Sequence, residues 1–298
     1  MKPAPFAYHA PASATDAVAL LDSFGDEAKV IAGGQSLAPM LALRLAVFDQ
    51  LVDVGRIGEL RGISRANGTV RIGAATTQAT IGASRDVAEA VPLLARATPL
   101  IGHFQIRNRG TIGGSLAHAD AAAEYPAVAL ALDAVVETLS PRGARSIPAA
   151  EFFTGIWTTA LEPDELLTAV GFPVWEGRTG FAVEEFATRR GDFAIAGAAV
   201  AVELSGGDGD RAGGGAVRRC GIGLFGLGPT ALRATAAEAA VTGAPAGEIS
   251  AEEVGAAAMA GLDSVASDTH GPAAYRTRVG AAVVAAAWRR AVREANGD

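Results

Sequence analysis

Residues 107–120 read Arg107-Asn108-Arg109-Gly110-Thr111-Ile112-Gly113-Gly114-Ser115-Leu116-Ala117-His118-Ala119-Asp120. Three glycines, three hydroxyl or amide side chains and an acid fall inside these fourteen residues, between two apolar segments of helical character. So few bulky side chains add little to a core, and the composition serves another end. A Gly113-Gly114 pair lets the backbone take a positive φ and lets a ligand approach the main chain closely. Thr111 and Ser115 add hydroxyl donors, and bare N–H groups in such a loop form an anion-binding nest.

A second loop of the same kind lies nearer the start, Ala32-Gly33-Gly34-Gln35-Ser36-Leu37. Residues 28–32 read as a buried strand delivering it. Ser36 or Gln35 then opens a helix with Leu37, Met40, Leu41 and Leu45 on one apolar face. The loop thus sits at a helix N-terminus, where N–H groups and the macrodipole favour phosphate. One Gly-Gly pair alone is more often a plain turn. Two with the same Gly-Gly-x-Ser or Gly-Gly-Ser grammar suit a ligand with two phosphates. Neither follows the P-loop or Rossmann order.

Outward from these loops, Thr15 is placed to cap a helix through residues 16–21, and residues 50–54 form the next strand, giving a β-α-β unit. A second unit begins near Arg61. It has strands at 70–73, 135–139 and 165–172, and helices at 77–84, 92–101 and 124–132. Beyond residue 177 the character changes. Three strands, 181–186, 194–204 and 217–227, are joined in part by the glycine-rich 205–215 connection, and helices follow at 231–241, 251–260 and 272–295. This β-β-β-α order indicates a separate α+β domain, and its alanines point to small-residue packing interfaces.

The segments AGGQSLAPMLALRLA (32–46) and TIGGSLAHADAAAEYPAVALALDA (111–134) resemble the two FAD motifs of the flavoprotein middle subunit of molybdenum hydroxylases. Within that family the medium chains of the carbon monoxide dehydrogenase type are most similar. The likeness runs through nearly the whole chain, including Arg189-Arg190-Gly191-Asp192-Phe193-Ala194. It implies an α+β fold. A PCMH-type FAD-binding domain spans 1–176, with subdomains of about 1–60 and 61–176. A smaller α+β domain over 177–298 follows, with a three-stranded antiparallel sheet and helices.

The resemblance also implies noncovalent FAD, held by Ala32, Gly33, Gly34, Gln35, Ser36 and Leu37 of the first motif. Thr111, Ile112, Gly113, Gly114, Ser115, Ala117 and His118 belong to the second. His118 can donate to flavin or phosphate, or make a structural loop bond. Asp120 and Glu124 either compensate a helix start or accept from ribitol or ribose hydroxyls, and the resemblance favours the latter. Arg107 and Arg109 either balance diphosphate charge or lie on the surface. Ile101 matches an apolar residue packing on the cofactor, Leu167 one lining the flavin, and Phe193 an aromatic beside the isoalloxazine that carbon monoxide dehydrogenases fill with tyrosine. Gln35 stands where some members have histidine, Ala121 where many have proline, and Glu185 where relatives often carry lysine. No catalytic residue or metal ligand is assigned to this chain. The molybdenum cofactor is expected on a large partner subunit and two [2Fe–2S] clusters on a small one, in a dimer of heterotrimers. The electron acceptor stays open, as does the substrate: carbon monoxide, a purine, another N-heterocycle or an aldehyde.

Composition agrees. The net charge of −7 with interspersed acids and bases argues against nucleic acid as a partner. No apolar run reaches transmembrane length, and no apolar signal segment follows Met1, so the expectation is a cytoplasmic protein, possible membrane attachment coming only through partners. Cys220, the only cysteine, excludes an internal disulfide or a cysteine-ligated cluster built by this chain, and fits a packed strand position. The histidines show no metal-ligand spacing. A self-contained flavin oxidase and a non-redox scaffold remain as rival readings.

Overall fold

The computed structural model describes residues 2–206 and 215–297. Strand β1 (Ala7–His9) is followed by helix α1 (Ala14–Phe24), strand β2 (Ala28–Ile31), helix α2 (Leu37–Leu43) and strand β3 (Gln50–Asp53). β1 and β2 both pair in parallel with β3, so the expected β-α-β unit forms a three-stranded sheet. Ser13, not Thr15, caps α1. Its hydroxyl accepts from the Asp16 N–H at 3.0 Å, the three-residue reach an N-cap needs, while Thr15 lies inside the helix. Ala17, Val18 and Leu21 of α1 pack on Val52, Val54 and Ile57.

The second unit comprises β4 (Ile63–Ala66), β5 (Thr69–Gly73), α3 (Gln78–Ala83), α4 (Arg85–Ala90), α5 (Pro92–Ala97), α6 (Phe104–Arg107), α7 (Ile112–His118) and α8 (Glu124–Ala131). β6 (Val135–Ser140), β7 (Gly143–Pro148), α9 (Ala149–Phe152), the short pair β8 (Phe153–Gly155) and β9 (Thr158–Thr159), and β10 (Leu166–Pro173) complete it. Its sheet is antiparallel in the order β4-β5-β10-β6-β7. The helix expected over 92–101 stops at Ala97, and Pro99 sits in the 3-10 turn Thr98–Leu100 that follows. Proline has no N–H to continue the ladder.

The remaining elements are β11 (Arg178–Phe186), β12 (Ala196–Leu204), β13 (Val217–Phe225), β14 (Leu232–Arg233), α10 (Thr235–Val241), α11 (Ala251–Ala260) and α12 (Ala273–Asn296). The sheet has four strands, not the expected three, in the order β11-β12-β13-β14. The extra strand is only Leu232–Arg233, two residues at an edge, and it occupies the start of the segment expected to be helical. Most of the glycine-rich 205–215 connection lies outside the described residues. Cys220 is buried in β13, as expected, and burial pushes its thiol up, away from reactivity.

Small residues do set the interfaces. A Cβ on Gly221 or Gly223 of β13 would overlap the backbone of Ala131 or Ala127 in α8. One on Gly180 would overlap Ala291 of α12, so these helices pack almost backbone to backbone on the sheet. The core around Tyr125, Phe152 and Phe172 extends into Phe181, Ala199 and Phe225, which joins the last sheet to the second unit. Arg96 adds a second link, donating to the Phe181 carbonyl and pairing with Glu294.

Candidate functional site

The two glycine motifs meet. A Cβ on Gly33 would overlap the Arg109 carbonyl and lie 2.8 Å from Gly110 Cα, so only glycine permits this contact. From there β2 runs into the first motif. Gly34 takes φ +72, in the left-handed region, and Ser36 returns to the helical region at the head of α2. The backbone N–H groups of residues 33–37 find no acceptor among the described residues. Gln35 folds back instead, donating from Nε2 to the Gly33 carbonyl at 2.9 Å. A run of half-buried, unpaired N–H groups around a left-handed glycine is an anion nest. The Ser36 hydroxyl is likewise unpartnered among the described residues and does not cap α2. Leu37 is half-buried, but the apolar face expected of α2 breaks down. Arg44, at φ +57, ends the helix, and Leu45 is 72% exposed.

The second motif corrects the sequence reading. Gly113 and Gly114 do not take positive φ; they lie in the first turn of α7. Thr111 is buried and its hydroxyl caps the helix, accepting from the Gly114 N–H at 3.1 Å. The Ile112 and Gly113 N–H groups donate to the carbonyls of Thr76 and Ala74. This helix start is therefore already satisfied, and the free donors belong to the first motif. Gly113 is small because a Cβ would sit 2.6 Å from that of Ala74. Gly114 faces the first motif, where a Cβ would approach Ala32 at 3.9 Å. Ser115 and Ala117 are half-buried on α7, while Ile112 is fully buried in the core.

His118 ends α7, its ring nearly parallel to that of Trp157. Burial lowers its pKa, and Lys29 adds to this against the opposing charge of Asp120, 4.0 Å away. Asp120 accepts from the Ala122 N–H at 2.9 Å, a local turn bond. Glu124 opens α8 almost fully buried, and among the described residues its carboxylate has no cationic partner. Burial pushes its carboxyl up to about 8, with the charges of Glu185 and Asp120 adding to the rise. Glu185, on β11, is pushed by burial to about 7, and its Oε2 is buried without a hydrogen-bond partner. Arg107 does not reach toward the nest. It donates to the Ile101 and Gly102 carbonyls at 2.9 and 2.8 Å, clamping the turn that carries Ile101. Leu167 is buried on β10. Phe193 lies outside any strand and is 70% exposed, which rules out a core role.

The last sheet meets this region at one seam that the sequence did not reveal. The Gly226 N–H donates to the Ala121 carbonyl at 2.7 Å. Arg276 of α12 is buried and donates to the Ile195 and Gly226 carbonyls, each at 2.6 Å. It also pairs with Asp268. No sequence motif ties Arg276 to Ile195, because the contact spans eighty-one positions. Two concavities of about 520 and 620 Å³ lie elsewhere, the first beside Arg142 and Asp164 and the second beside Ala79 and Asp86.

Residues 4–175 match a family described as the FAD binding domain in molybdopterin dehydrogenase, and residues 181–291 match the CO dehydrogenase flavoprotein C-terminal domain. The chain belongs to this flavoprotein family. It is similar to the carbon monoxide dehydrogenase medium chain of Hydrogenophaga pseudoflava, 40% identical over 97% of this chain and 99% of that one. It is also similar to the 6-hydroxypseudooxynicotine dehydrogenase complex subunit alpha of Paenarthrobacter nicotinovorans, 43% identical over 94% and 92% of the two chains. A solved structure of the H. pseudoflava carbon monoxide dehydrogenase superposes with a TM-score of 0.93 at 41% identity, covering 99% of each chain. The chain is thus a medium, FAD-binding subunit of a molybdenum-containing oxidoreductase. Among the described residues no helix is long and apolar enough to cross a membrane, and no group of His, Cys, Asp and Glu is arranged to hold a metal.

Proposed function

We propose that this chain is the electron-transfer subunit of a heterotrimeric molybdenum hydroxylase, accepting electrons from an iron–sulfur subunit and delivering them to an external acceptor. When bound, FAD supplies reversible redox chemistry that no side chain here offers. The observation that carries the reading is the run of free N–H groups at residues 33–37, pressed by Gly33 against the second motif. It fits a diphosphate. Gly114 leaves room beside Ala32 for close approach, and each motif carries a hydroxyl, Ser36 in the first and Ser115 in the second. Glu124 and Glu185 are buried carboxyls short of donors, which fits the hydroxyls of a ribityl or ribose chain, with Asp120 alongside. Ile101, Leu167 and Phe193 are assigned to the flavin by the family resemblance. The resemblance also puts Glu185 where relatives often carry a lysine near the flavin, so a positive charge is missing there.

The division at residue 176, with subdomains of about 1–60 and 61–176, follows the change of sheet and is part of the same proposal. So are noncovalent FAD, a large molybdenum subunit and a small subunit with two [2Fe–2S] clusters, a dimer of heterotrimers, and a cytoplasmic site of action. The relatives' names, which cover carbon monoxide and nicotine-type substrates, leave the substrate of this complex open. The test is reconstitution. Substrate is expected to bleach the flavin absorbance only when both partner subunits are present. Substrate-dependent turnover by the partner-free chain would overturn the proposal and favour a self-contained oxidase.

A further inference from the structure

The tip of the β8–β9 hairpin carries Ile156 and Trp157, 65% and 60% exposed. Trp157 is held at φ +51, a left-handed conformation that costs a non-glycine residue and persists where its surroundings or its function require it. A glycine would make this turn at lower cost, so the indole is kept there against local preference. It lies nearly parallel to the His118 ring, with centroids 6.3 Å apart and planes at 15°. Burial lowers the pKa of His118, which lies one helical turn beyond Gly114 on α7, and a Cβ on Gly114 would approach Ala32 of the first motif. The two rings therefore stand about one turn of α7 from where Gly114 faces the first motif. A ring inserted between two others needs about 7 Å between their planes, twice the ~3.5 Å carbon–carbon contact distance, so the hairpin tip must move outward to admit one.

The geometry points to a stacking clamp in which Trp157, with His118 as the opposite wall, receives a planar heteroaromatic ring of the bound dinucleotide. The inference rests on the FAD reading above and adds to it a residue outside both glycine motifs. The ring is adenine or isoalloxazine, and ADP and FMN carry one each.

The test uses the flavin-free full-length chain. Trp175 and Trp288 are only 7% and 2% exposed, so Trp157 is the tryptophan that a ligand can reach. One of ADP or FMN is expected to quench tryptophan emission, which names the ring, and the quench should vanish in Trp157→Phe. In an FAD titration, Trp157→Ala should weaken binding about tenfold, within the range for one base–aromatic stack, while Trp157→Phe keeps most of the affinity. Flavin-free Trp157→Gly should melt no lower than the parent chain, since glycine relieves the left-handed backbone, yet bind FAD as weakly as the alanine variant. Equal FAD affinity in parent and Trp157→Ala would overturn the clamp while leaving the FAD reading intact. Failure of the parent chain to bind FAD would overturn both.

Discussion

Phe193, placed by the family resemblance beside the flavin ring, is 70% exposed. An exposed aromatic that contributes little to the core can be deleted cheaply. Phe193→Ala is expected to leave the melting temperature of the flavin-free chain nearly unchanged while altering flavin absorbance and speeding reoxidation by small acceptors. Lowered stability with an unchanged flavin spectrum would refute this. The buried carboxyls make a pH prediction. The ordinary value for Glu124 is 4.5 and the folded value about 8, so between these pH values the folded state holds a proton that the unfolded chain has released. Stability is fullest on the acid side of this window and falls as pH rises through it, with Glu185, at about 7, titrating in concert. Glu124→Gln should flatten the decline in urea midpoint from pH 5 to 8, an effect of up to a few kcal/mol. A parent profile that rises over this range would contradict the assignment.

At the scale of elements, the first motif was legible because its Gly-Gly-x-Ser order is echoed by the Gly-Gly-Ser of the second, although the strand before it, expected to be buried, is only half-buried at the sheet's edge. The second was located correctly but misread in conformation. Two adjacent glycines each disfavour helix by about 1 kcal/mol relative to alanine. Here the Thr111 cap and the fit of Gly113 on Ala74 outweigh that, and neither contact is local enough to see in sequence. Strand β7 was missed because its exposed, polar edge residues lack alternation, and β14 because two residues carry no pattern. The long strands β10 to β13 and helices α8, α11 and α12 were visible because their apolar patterns are long. The contact between motifs predicts that Gly33→Ala forces them apart, costing about 1–3 kcal/mol as an overpacked site and losing flavin. Gly114→Val meets mainly the Thr111 hydroxyl, at 2.9 Å, and should stay folded but flavin-poor. Melting curves with flavin content for both variants separate the two effects. Full flavin occupancy in either would count against this cradle.

For the whole molecule, the second unit is the middle piece, touched by the parallel sheet at Gly33 and by the last sheet at Gly226. The parallel sheet supplies the nest, the second unit supplies α7 and α8, and the last sheet touches the loop between those helices where Gly226, itself held by the buried Arg276, donates to the Ala121 carbonyl. Such an arrangement suits the binding of a cofactor between the glycine motifs. Under the proposal, this frame holds FAD without a covalent bond. The most direct measurement is the flavin content of the purified chain, read before and after acid precipitation. Equimolar FAD, released entirely into the supernatant, is the expected result. A chain that cannot be loaded with FAD, or flavin that stays with the precipitated protein, would contradict it.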